Sequence, residues 1–235
     1  MRWAHEALAV FVREWRAEWR TRVALSSVVL FAVVALVLIA LSLRDKTGIV
    51  VDSDARPSVA AALLWVILFF TAATGLGRAF VQEEERGTAL ALRLMARGTA
   101  VWTGKFAANA SLLLGLAALT TPILIGILET PVKSMNLWLL VCVLSLGCVG
   151  IAAVFTMTSA LVAQASVKGG LLAALSFPIL VPLLLAGVHG TKAALGVGNP
   201  QGFFAPGTGD LQVLVSYAIV AVTTSLMLFD FVWND

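Results

Sequence analysis

Charge is scarce in this sequence. Aspartate, glutamate, lysine and arginine make up 12% of its 235 residues, about half the share of an ordinary soluble domain. With 60% hydrophobic residues, that excludes a large soluble domain and points to a chain seated in lipid. The formal net charge of +3 is too small to indicate nucleic acid. Cysteine is scarcer still, with only Cys142 and Cys148 present. Six residues apart, they point about 240° from one another on a helix, so they build neither a disulfide nor a metal site and read as small packing residues. The two histidines, His5 and His189, fall on opposite sides of the membrane in the topology derived below. The stretch GTAVWTGKF, residues 98–106, has a Gly-Lys pair but not the glycine spacing of a phosphate-binding loop, and Phe106 stands where a magnesium-binding hydroxyl belongs. No hydrolase, metal or nucleotide site can be assembled from these parts. His189, near the outer face, remains a candidate ligand for a metal or haem, although a histidine at a helix end is more often an interfacial residue.

What the chain has in quantity is long apolar runs. Crossing roughly 30 Å of hydrocarbon takes about 20 residues. Six uncharged runs reach that length: 23–43, 57–77, 106–128, 137–163, 169–191 and 211–229. In lipid each must be helical, because a lone helix satisfies its own backbone hydrogen bonds. The expected fold is an all-α membrane protein forming one transmembrane domain over residues 1–235. No Asp, Glu, Lys or Arg lies inside the six runs, whereas an ion-coupled transporter ordinarily needs such groups. There is no internal repeat of the kind that inverted-repeat transporters carry. A membrane enzyme and an ion-driven pump are both disfavoured.

Six spans put both termini on one side. That side carries Arg2, Arg13, Arg16, Arg20 and Arg22, then Arg78, Arg86, Arg93, Arg97 and Lys105, then Lys168. The other carries Arg44, Lys46, Arg56, Lys133 and Lys192. The excess of positive charge assigns the first side to the cytoplasm. The N-terminal segment also contains Glu6, Glu14 and Glu18 with no cleavage site after the apolar run, so the first span is expected to be retained.

Residues 1–22 pattern as an amphipathic helix. Trp3, Ala4, Ala7, Leu8, Phe11, Val12, Trp15 and Trp19 fall on one half, and Arg2, Arg13, Arg16 and Arg20 on the other. Such a helix lies in the membrane interface, against lipid. Glu14 and Glu18 interrupt the apolar half, where each either pairs with an arginine one turn away, as Glu18 can with Arg22, or faces a neighbouring protein. Farther on, Pro178 and Pro182 each remove a backbone donor, which predicts a kink or break in the fifth span and makes them candidate conformational residues. Pro122 acts more weakly in the third. The Gly/Pro-rich segment 190–210 predicts a short dipping element on the outer side.

The most charged stretch is RAFVQEEERGTALALRL, residues 78–94. The acidic run Glu83, Glu84, Glu85 precedes Arg86 and Gly87. Thr88 is placed to cap a short helix, on which Leu90 and Leu94 stand one turn apart. Leucines offered near water and flanked by charge mark an interaction site. Glu83, Glu84, Glu85, Arg86, Gly87, Thr88, Leu90 and Leu94 are therefore candidate contacts to a cytoplasmic partner. The bland alternative is a solvated loop whose charges only set topology.

Six spans, an amphipathic N-terminal helix and a charged first cytoplasmic loop resemble the membrane subunit of type-2 ABC exporters. GRAFVQEEERGTALALRLM, residues 77–95, followed by GKF at 104–106, resembles the CcmB family of cytochrome c maturation permeases. Arg78, Phe80, Gly87, Thr88, Leu90, Leu92, Gly104 and Lys105 fit the family pattern. So does KGGLLAALSFPILVPLLL, residues 168–185, with its paired glycines and prolines four apart. The sequence departs from the pattern at Ala89 and Ala91, where an acidic residue is usual, and at Ala96 and Arg97, where a proline is usual. The resemblance implies a non-catalytic permease subunit in a bacterial inner membrane. It implies coupling of ATP hydrolysis on a separate CcmA-like ATPase to haem export or release of a haem chaperone. The implied partners are a haem-handling CcmC-like membrane protein, a CcmE-like periplasmic chaperone and membrane lipid. No cofactor is expected in this chain; ATP is expected on the partner, and haem within the complex. The alternatives are a type-2 ABC permease for a lipid-linked or drug-like substrate and a non-transport scaffold.

Overall fold

A computed structural model describes residues 2–21, 23–45, 48–49, 51–76, 80–85, 87–88, 92, 96–130, 135–163, 171–196 and 208–234. The N-terminal helix α1 (Arg2–Thr21) divides its surface three ways. Ala7 and Val10 are buried, and Glu6, Phe11, Glu14 and Glu18 are half-buried. At about 100° per residue these lie on one side, the side that packs on α5 below. Leu8 and Trp19 are exposed on a second side; His5, Arg16 and Arg20 are exposed on a third. The glutamates that interrupt the apolar pattern thus face protein within the same chain.

Helix α2 (Val23–Ser42) turns Val28, Ala32 and Leu36 inward, four residues apart. It leaves Leu30, Val33, Val34, Val37, Leu38 and Leu41 exposed, as lipid requires. A two-residue antiparallel pair follows, β1 (Arg44–Asp45) and β2 (Gly48–Ile49), with Arg44 opposite Ile49. Helix α3 (Arg56–Gly75) starts with Pro57 in its first turn, where the missing donor costs nothing. Then come the short α4 (Val81–Glu85), α5 (Gly98–Ile127), α6 (Leu137–Ala163), α7 (Leu171–Ala194) and α8 (Thr208–Asn234). Of these, α3, α5, α6, α7 and α8 are long and apolar enough to cross a membrane, and α2 contributes the apolar stretch Val28–Ser42. The all-α six-span fold expected from sequence is present.

Helix α6 is the hub, touching α3, α5, α7 and α8. Every residue from Gly150 to Ala160 is buried, which is why this helix is apolar all round. Lipid supplies little hydrophobic drive between helices, so small residues and hydrogen bonds hold the bundle. Asn109 Nδ2 donates to Thr156 Oγ1 at 2.9 Å, and Thr158 and Ser176 hydroxyls meet at 2.9 Å. Trp65 is the largest example: its indole fills notches at Gly147 of α6 and Gly187 of α7, where a Cβ would collide with the ring, and its Nε1 donates to Thr191 Oγ1 at 2.9 Å.

Two expectations change. Helix α5 begins at Gly98, two turns before the apolar run at Phe106. Nothing in 98–105 breaks a helix, and Ala100, Val101 and Trp102 are buried there. Helix α7 runs without interruption through Pro178 and Pro182. Each proline removes one donor only, both stand exposed, and packing against α6 and α8 sustains the helix. The predicted break is absent. Residues 190–194 continue α7, and residues 197–207, where a dipping element was expected, lie outside the described residues.

Candidate coupling surface

Helix α1, the segment around α4, the start of α5 and the C-terminal ends of α6 and α8 gather at one end of the bundle, the charged end. Gly104 marks a close approach of α1 to α5. A Cβ there would stand 2.7 Å from Val10 Cβ and 2.8 Å from the Ala7 carbonyl oxygen. This contact brings the glutamate side of α1 against the start of α5. Trp3 Nε1 donates to Thr99 Oγ1 at 3.2 Å, and the Arg97 amide points to Glu6 Oε2 at 3.5 Å.

One residue farther along, Lys105 is only 1% exposed. A buried ammonium must be paired, and here it has two carboxylates. Its Nζ lies 2.9 Å from Glu14 Oε1 on α1 and 3.4 Å from Glu83 Oε1 on α4. It also sits 5.0 Å from the centre of the Phe80 ring, a cation–π distance. Arg13 Nη2 reaches the same Glu83 oxygen at 2.6 Å. The Thr88 hydroxyl donates to Glu83 Oε2, and the Thr88 amide to the Glu83 carbonyl at 3.0 Å. Burial alone opposes ionisation of Glu83, yet Lys105, the Thr88 hydroxyl and Arg13 outweigh it and hold this carboxyl below its ordinary value of 4.5.

Gly87 closes α4 with a φ of +66°, a left-handed conformation that glycine adopts without steric cost. Beyond it, the Leu92 amide donates to the Thr88 carbonyl and the Ala96 amide to that of Leu92, each at 3.1 Å. Leu92 is buried with Phe80, Val101, Trp102, Met157, Phe229 and Trp233 in an apolar cluster of its own. Phe80 lies 5.3 Å from Phe229 and 6.2 Å from Trp233, centre to centre.

Among the sequence-predicted site residues, Glu83 and Thr88 are brought together, Gly87 forms the turn between them, and Glu84 points outward, exposed. The side chain of Glu85, and all of Arg86, Leu90 and Leu94, lie outside the described residues. Pro178 and Pro182 are in a different part of the molecule, on α7. His189 is at the far end, 3.9 Å from Asp210 and largely exposed. Sequence reasoning missed Arg13, Glu14 and Lys105 as one group with Glu83. Their signal was a lysine at the threshold of an apolar run and a glutamate on the wrong side of an amphipathic helix, and neither reveals its partner without the fold.

A family model described as CcmB protein matches residues 5–231 of the chain. No curated protein and no solved structure matches it.

Proposed function

The chain belongs to the CcmB family, and from that premise we propose that it converts ATP hydrolysis on a separate ATPase subunit into movement of its spans. The family makes it a multi-pass membrane component of the cytochrome c maturation haem exporter, a permease part and not a catalyst. In the finer reading, it lies in the bacterial inner membrane with both termini cytoplasmic. A CcmA-like ATPase docks at the charged end, and the work serves haem export or release of a haem chaperone beside CcmC-like and CcmE-like partners.

One observation carries the reading: the acidic segment is not a free loop but is fastened to the root of a span. A push on residues 81–97 therefore reaches α5 directly, since a packed element transmits a two-state shift better than a tether. Glu84, Glu85, Arg86, Leu90 and Leu94 are the proposed contacts to the ATPase. Replacing Leu90 and Leu94 with Asp is expected to release the ATPase from the membrane while the chain still inserts. Unchanged co-purification of the two proteins refutes the docking site.

A further inference from the structure

We infer that Lys105 is a positioning residue that joins the N-terminal helix, the acidic segment and α5 into a single lever, with Glu83 as the fastener rather than a partner contact. The inference rests on the reading above, in which the acidic segment receives the ATPase.

The geometry behind it is a three-way junction. Lys105 belongs to α5, its nearer carboxylate Glu14 to α1, and its second carboxylate Glu83 to α4. Glu83 is 8% exposed and Glu84, its neighbour, is exposed. Both side-chain oxygens of Glu83 are engaged from inside the molecule, Oε1 by Arg13 and Lys105 and Oε2 by Thr88. An ATPase meeting this surface finds Glu84 and not Glu83. The Thr88 hydroxyl also ties the residue beyond the Gly87 turn back to the same carboxylate, and the Thr88 amide ties it to the Glu83 carbonyl, so the fastener holds both arms of that turn.

Such a junction has a thermodynamic asymmetry. A buried ion pair adds little to stability compared with a well-packed apolar replacement, but removing one member strands the other. Its worth lies in fixing one arrangement of three elements. The role is mechanical: without it, the ATPase can still bind and turn over, but the displacement is absorbed in the segment instead of reaching α5.

The test uses the assembled complex and cells that depend on this chain for cytochrome c maturation. Lys105→Met is expected to keep membrane insertion and ATPase co-purification while mature cytochrome c falls about tenfold, the scale of a lost coupling energy between sites. Lys105→Arg keeps the charge and is expected to restore most of the yield. Glu83→Gln guards against a Lys105→Met chain that fails to fold, because Lys105 then keeps Glu14. It is expected to uncouple in the same way, with ATP hydrolysis by the complex continuing. The double variant is expected to be no worse than Lys105→Met alone, since both act through one contact.

Normal maturation in Glu83→Gln overturns the inference. So does loss of the ATPase from that variant, which makes Glu83 a docking contact, and so does a double variant in which the two defects multiply. If the unaltered chain retains no ATPase, the underlying reading fails first, and that result is seen before any variant is made.

Discussion

Gly104 is a glycine because α1 lies on it. Any side chain meets the Ala7 carbonyl oxygen, and a backbone atom cannot swing aside as a side-chain tip can. Gly104→Val is therefore expected to lift α1 from α5 and to cost about 1–3 kcal/mol, the usual range for overpacking a close contact. Limited trypsin digestion of membranes at Arg13 and Arg16 reads this as faster cleavage, and an unchanged rate refutes it. Glu83 gives a second prediction at this scale. Its folded-state pKa lies below 4.5, so its ionised form favours the folded junction; that contribution is present above pH 4.5 and is lost as pH falls below it. Protection of residues 80–88 from hydrogen exchange, corrected for the intrinsic rate, is expected to stay level from pH 7 to pH 5 and to drop below pH 4.5. A drop between pH 7 and pH 6 contradicts this account of the junction. Neither feature was legible at the level of single letters. Gly104 and Lys105 stood in the family pattern with no reason attached, because close approach and charge pairing are relations between segments about 90 residues apart.

At the scale of elements, most of the architecture was legible. A run of about 20 apolar residues has one solution in lipid, and α3, α6 and α8 fall near the runs that announced them. The ends were harder. Helix α5 extends to Gly98 because its first turns find Phe229 and Trp233 to pack on, and hydropathy does not record a protein partner. The same limit hid the side of α1 that packs on α5, since periodicity separates apolar from polar but does not separate lipid from a neighbouring helix. Helix α7 shows where a local rule yields to packing: Pro178 and Pro182 were expected to kink or break it, and the helix continues through both. A helix lacking two donors is still more easily bent than its neighbours, and the Tyr217 hydroxyl of α8 donates to the Ile179 carbonyl, between the prolines, at 2.6 Å. We propose that this stretch flexes during turnover. Pro178→Ala with Pro182→Ala is expected to leave assembly intact and to reduce mature cytochrome c several-fold, by about 1 kcal/mol of coupling. Normal maturation in the double variant removes α7 from the moving parts.

At the scale of the molecule, both ends are tied across elements. At the charged end the Lys105 junction joins α1, α4 and α5; at the far end the Asn136 amide donates to the Ala194 carbonyl at 2.8 Å and Arg56 stands 3.7 Å from Glu129. In the proposed orientation, which rests on the distribution of lysine and arginine, the charged end faces the cytoplasm. Single cysteines at positions 52 and 90, with Cys142 and Cys148 replaced, are expected to react with an impermeant thiol reagent from opposite sides of the membrane. Labelling of both from one side overturns that orientation and the docking surface with it. Between the ends sits Trp65, its ring set into gaps in two other helices and its nitrogen held by Thr191. A ring keyed in this way forbids α3 to slide along α6 or α7, because any axial step must first lift the indole out of both recesses. The three helices are thereby held in one axial register.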